Sequence, residues 1–146
     1  MESEKGVGDT DWVMSEQNVE VVGRAVEAFR HRDPSALAEL CDPDIEFRSA
    51  FAAAGGRTYR GHEDLRRYMQ DIDATFEDWH TEDEEAIDAG TDRVVLIYRI
   101  VGEGRGSGVP IDQRIAILWT LHDGKLLLGD VYLDPDEALE AAGLRD

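Results

Sequence analysis

The sequence predicts an α+β fold, in which helices pack against one strongly curved antiparallel sheet. Three observations predict it. Residues 93–105, 109–122 and 125–133 read as consecutive strands joined by Gly106-Ser107-Gly108 and Asp123-Gly124. Asp-Gly between alternating apolar runs is a strong hairpin signal, because both central residues of a type I′ turn need φ > 0. Before these strands lie two amphipathic helices, and a short capped helix follows them.

The elements follow in order. Residues 1–13 are polar, bear glycine and lack periodicity, which predicts a loose tail before a single domain over 14–146. Ser15 is a suitable N-cap, and Val19, Val22, Val26 and Phe29 then recur at helical spacing. Asp33-Pro34 reads as a cap plus a first-turn proline, starting a short helix through Leu40. Ile45–Arg48 is a strand, with Ile45 and Phe47 on one side and Glu46 and Arg48 on the other. Residues 49–57 form a small, glycine-rich loop, and Tyr59-Arg60 is a short edge strand. His62–Phe76 is the clearest helix, with Leu65, Tyr68, Met69, Ile72 and Phe76 on one stripe. Trp79–Ile87 is a strand of weak pattern, since Glu82–Glu85 reads as a solvated acidic face. Asp134-Pro135 caps a last helix through Ala142.

The turns set a register, and the register sorts side chains between two faces. A two-residue Asp123-Gly124 loop pairs His122 with Lys125, Trp119 with Leu128, Ile117 with Asp130 and Ile115 with Tyr132. A Gly-Ser loop in the preceding hairpin pairs Tyr98 with Ile115 and Arg99 with Arg114. One face then carries Val94, Leu96, Tyr98, Ile115, Ile117, Trp119, Leu128, Asp130 and Tyr132. The other carries Val95, Ile97, Arg99, Asp112, Arg114, Ala116, Leu118, Leu127, Gly129, Val131 and Leu133. Both are largely apolar. Helices cover one, and the other is left for a second subunit.

Composition narrows the function classes. The 146 residues suit one domain, and 33 acids against 15 bases give a formal net charge of −18. So acidic a chain is a poor partner for nucleic acid or anionic membranes, both of which are bound through Lys and Arg. Cys41 is the single cysteine, so an internal disulfide is excluded, and no two histidines have metal-ligand spacing. No membrane span or signal peptide is evident, which points to a cytoplasmic protein.

Several runs taken together resemble the SnoaL-like branch of the NTF2-like superfamily. They are NVEVVGRAVEAF, HRDPSALAELCDPDIEFR, TYRGHEDLRRYM, EEAIDAGTDRVVLIYR and AILWTLHDGKLLLGDVYLDPDEALEAAGL, which together span most of Met14–Leu144. The resemblance implies a cone-shaped sheet wrapped on helices around an apolar cavity, without a cofactor. It also implies a homodimer through the outer sheet face, here Tyr98, Ile115, Ile117, Trp119, Asp130 and Tyr132. Isomerases of the superfamily place a Tyr and two acids where this chain has Ala25, Arg48 and Ala116, so that mechanism is not expected. The same alignment makes the face with Ala116, Gly129 and Val131 the cavity side.

Three readings remain open. The first is a binder of a small, mostly apolar molecule, with Tyr59, His62, Trp79, Ile97, Arg99, Ala116, Leu118, Gly129 and Val131 about the ligand. The second is a cofactor-free enzyme, resembling epoxide hydrolases or polyketide cyclases, that uses Asp112 and Arg114 with Arg48 and Glu46. An Asp/Arg set can orient a water or hold an anionic substrate, yet the same charges could simply pair and plug the cone. The third is a structural or partner-binding module whose cavity is filled. Among the remaining candidates, His62 at a helix start suits either a pocket acid-base or a cap, and Cys41 an inert core thiol.

Overall fold

The computed structural model describes residues 2–49, 57–90 and 92–144. Its elements are α1 (Glu2–Arg30), α2 (Pro34–Glu39), β1 (Cys41–Ser49), β2 (Arg57–Arg60), α3 (Gly61–Thr75), β3 (Phe76–Asp88), β4 (Arg93–Gly104), β5 (Pro110–His122), β6 (Lys125–Tyr132) and α4 (Pro135–Ala141). The strands form one sheet in the order β2-β1-β6-β5-β4-β3. Every pairing is antiparallel except β1 with β6. Among the described residues no helix is long and apolar enough to cross a membrane.

Local chemistry explains the boundaries. The Asp33 carboxylate accepts from Ala36 N at 3.0 Å and Pro34 starts α2. Asp134 accepts from Asp136 N at 2.9 Å and Pro135 starts α4. Both satisfy N–H groups that a helix start leaves orphaned. Asp123 and Gly124 have φ of 50° and 76°, as the type I′ turn requires. Helix α1 is continuous from Glu2 rather than starting at Ser15; Gly6 and Gly8 weaken a helix without breaking it. Most of the glycine-rich loop expected at 49–57 lies outside the described residues.

The register holds in the first hairpin and slips in the second. Tyr98 pairs with Ile115 and Arg99 with Arg114, as the turn predicts. His122 pairs with Lys125, but β6 then carries one extra residue, so Leu121 faces Leu126 and Thr120 faces Leu128. Trp119 therefore meets Gly129, Ile117 meets Val131 and Ala116 meets Tyr132. A one-residue bulge moves every later side chain to the opposite face. Gly129 and Val131 thus join Trp119, while Asp130 and Tyr132 join Leu118. Strand β3 bulges twice, and Asp78 and Asp83 within the bulges have φ of 52° and 55°.

Two cores result. The inner face sets Val94, Leu96, Tyr98, Ile115, Ile117 and Trp119 with Phe47 against buried residues of α1 and α3. On the outer face Val95, Ile97, Ala116 and Leu118 pack against Ala138 and Ala142, the last following α4. This reverses the expected sidedness. The bulky aromatics need the depth between the sheet and two long helices, whereas the smaller set fits under one short helix. The cavity side is the Trp119 face.

Gly129 lies beneath the stacked rings of Phe47 and Trp119, whose centroids are 5.4 Å apart. A Cβ there would come within 2.6 Å of Trp119 and 2.7 Å of Phe47. Gly129→Ala is expected to lower stability by about 1–3 kcal/mol through overpacking, read from urea denaturation midpoints. Unchanged stability would show that the rings do not abut the backbone.

Candidate functional site

The cavity lies between α1, α3 and the inner sheet face. Ala25, Val26 and Phe29 come from α1, while Leu96, Tyr98, Ile117 and Trp119 come from the sheet. Its volume is about 50 Å³, a third of the roughly 150 Å³ cavity that admits benzene. Rings fill most of the cone: Phe47 stands edge-on to Tyr68 at 4.7 Å, and Phe29 stacks on Tyr68 at 5.8 Å.

Its polar groups are few. The Trp119 indole N–H is buried and has no hydrogen-bond partner among the described residues. Tyr98 is also deeply buried, and burial pushes its phenol well above the usual range. Burial raises Tyr68 likewise, with its hydroxyl bonded to Ser49. The Cys41 thiol is pushed up to about 12 by burial, against a smaller pull from Lys125. At neutral pH these three groups are uncharged.

Among the described residues one carboxylate, Glu84, lines the cavity. Glu84 Oε2 accepts from Thr81 Oγ1 at 2.6 Å and from Arg30 Nε at 3.1 Å, and Oε1 accepts from Arg30 Nη2. Burial opposes the Glu84 charge, yet these hydrogen bonds outweigh it and hold the carboxyl below its ordinary value. The αL bulge at Asp83 turns Glu84 inward from a run that reads as solvated. The sequence carries no signal for such a bulge beyond aspartate's tolerance of φ > 0.

The expected catalytic set lies on the other side of the sheet. Asp112 binds Arg99 at 2.6 Å and Asp83 adds a contact at 3.1 Å, with both carboxylates largely exposed. Arg99 lies opposite Arg114, which is exposed and makes no ion pair among the described residues. Arg48 pairs with Asp130 at 3.2 Å and Glu46 with Arg60 at 3.6 Å. Because Ile45 and Phe47 point inward, Glu46 and Arg48 must point outward. Asp112 and Arg114 share the phase of Ala116 and Leu118 on the outer face. The expected set is therefore dispersed, with Asp112, Arg48 and Glu46 each paired to a residue outside it and Arg114 apart from them.

The expected ligand contacts divide. Gly129 and Val131 do lie on the inner face, while Ile97, Arg99, Ala116 and Leu118 lie on the outer one. Tyr59 is core, its hydroxyl donating to Asp71 at 2.6 Å. Trp79 is held in place, its indole donating to Asp73 at 2.6 Å and the Arg32 guanidinium lying 3.9 Å from its ring centre. His62 Nε2 donates to the Cys41 carbonyl at 3.0 Å and faces a separate polar groove between α2 and α3. Of the residues expected at a subunit interface, Tyr98, Ile115, Ile117 and Trp119 are inner-face core, and only Asp130 and Tyr132 point outward. Among the described residues no three His, Cys, Asp or Glu converge on a metal position.

A SnoaL-like domain matches residues 22–128. No curated protein matches the chain. An NTF2-like protein of unknown function from Burkholderia pseudomallei is 17% identical, with a TM-score of 0.72 over 85% of this chain and 95% of that one. A Catenulispora acidiphila protein of ketosteroid isomerase-like fold, in complex with trimethylamine, is 23% identical, with a TM-score of 0.68 over 86% and 93%. TerC, co-crystallised with polyporic acid, is 21% identical, with a TM-score of 0.70 over 87% and 98%. At such identities the likeness carries the fold alone.

The Glu84 bonds set a sign. A carboxyl whose folded value is depressed contributes stability above its unfolded value, near 4.5, and loses it as pH falls through the folded value. Glu84→Gln is expected to flatten the acid limb of the stability-against-pH curve, measured by urea midpoints between about pH 3 and 7. A limb unchanged in slope would mean Glu84 is not held ionised by Arg30.

Proposed function

Since the chain belongs to the SnoaL-like family, we propose that it binds a small, mostly apolar molecule in the cone cavity, with a hydrogen-bond acceptor directed at Trp119. The unpartnered Trp119 N–H carries this reading. A buried donor without a partner costs about 1–3 kcal/mol, so native structures rarely keep one without a use. A carbonyl or ether oxygen would satisfy it, and the surrounding Leu96 and Ile117 would take the apolar body. Proteins of the same fold bound to trimethylamine or polyporic acid support a role in holding small organic molecules.

Binding is favoured over catalysis. The lining phenols and thiol stay protonated, and the single lining carboxylate is engaged by Arg30 and Thr81. Among the described residues no free acid and base converge inside the cavity, as general acid-base chemistry requires. A cofactor-free enzyme that uses Asp112, Arg114, Arg48 and Glu46 would have to work on the outer face, from groups that do not converge.

The test is a titration of ¹⁵N-tryptophan-labelled protein with cyclopentanone, and with cyclopentane as a partner lacking the acceptor. Cyclopentanone is expected to shift the Trp119 indole resonance and bind about fivefold more tightly than cyclopentane. Trp119→Phe should abolish that preference. Equal affinities, or no binding at millimolar concentrations, would contradict the proposal and favour a cavity filled for structural reasons.

A further inference from the structure

We propose that the Arg30–Glu84 pair is a latch that closes the mouth of the cavity. The idea deepens the binding reading and relies on it only for the purpose of the motion, since the motion itself is measurable without ligand. The Glu84 side chain lines the cavity yet is 15% exposed, and its partner Arg30 is 44% exposed. The pair therefore sits on the boundary between the cavity and solvent.

The two elements also meet through Phe29 of α1 and Trp79 of β3, whose ring centroids are 5.1 Å apart, and the ion pair adds a polar tie at the solvent edge of that contact. Arg30 is the last residue of α1, and Glu84 follows the Asp83 bulge in the edge strand β3. Both Glu84 oxygens are engaged, one by Arg30 alone and one shared with Thr81, which also lines the cavity. Glu27 attends Arg30 at 3.9 Å from the preceding turn. Charge-assisted, two-pronged contacts of this kind hold geometry well, and they break as a unit. With the latch shut, about 50 Å³ is free, which is too little for a benzene-sized guest. Bulged edge strands and helix ends are the parts of a fold that open at least cost. Release of Arg30 would remove the tie at Glu84 and let the mouth open about the Phe29–Trp79 contact and the Arg32 bond to the Trp79 carbonyl, which stay in place.

Hydrogen exchange at the Trp119 indole reports access to the cavity in the free protein. Glu84→Gln and Arg30→Gln are each expected to speed that exchange about threefold or more. The exchange of the Val95 backbone amide, on the outer-face core, should stay unchanged. Arg24→Gln removes a similar charge from the exposed Arg24–Glu20 pair at 2.6 Å and should change neither rate. Unchanged indole exchange in both latch variants would overturn the proposal. So would equal acceleration at Trp119 and Val95, which would mark global unfolding rather than a local opening. Failure of cyclopentanone to bind, with the latch exchange as expected, would refute the ligand and leave the latch.

Discussion

Phe47 and Trp119 stack over the bare backbone of Gly129, and β6 must carry one extra residue for Gly129 to lie there. Without that residue, Ile117 would face Asp130, and a carboxylate would enter an apolar core at a cost of several kcal/mol. With it, Asp130 turns outward to Arg48, and Val131 takes its place beside Ile117. The same shift brings Tyr132 under α4 with Leu118. One backbone irregularity thus satisfies burial on both faces, and the position of the cavity follows from it.

Sequence reading reaches the elements because local signals determine them. Asp33-Pro34, Asp134-Pro135 and Asp123-Gly124 each name a cap or a turn, and each is found where its chemistry places it. The stripes of α1 and α3 likewise bury Val22, Leu65, Tyr68 and Ile72. The site was legible only in part. Period-two alternation assigns faces correctly until a bulge intervenes, and nothing local marks the extra residue in β6 or those at Asp78 and Asp83. Gly129 held a clue, since a glycine within a strand often marks close approach. Glu84 was hidden for the same reason, inside an acidic run that reads as solvent-facing.

Apart from the Arg30–Glu84 pair at the cavity edge, the ion pairs of Arg99, Arg48 and Arg60 lie on the side of the sheet opposite the cavity. Arg99, Asp112, Arg48, Asp130, Glu46 and Arg60 pair on the outer face, where water meets part of the cost of their charge. Among the described residues the cavity keeps neutral phenols, a protonated thiol, one indole donor without a partner and, at its edge, the Glu84 carboxylate held by Arg30 and Thr81. Members of a shared fold differ in what their cavities hold, and the fold leaves that open.

Xenon pressurisation of crystals tests the sidedness of the cavity most directly, because xenon lodges in dry apolar voids. Density is expected between α1 and the inner face, in contact with Leu96, Ile117 and Trp119. Xenon beside Ile97 and Leu118 instead, or none in the cone, would contradict the placement of the cavity and the proposal built on it.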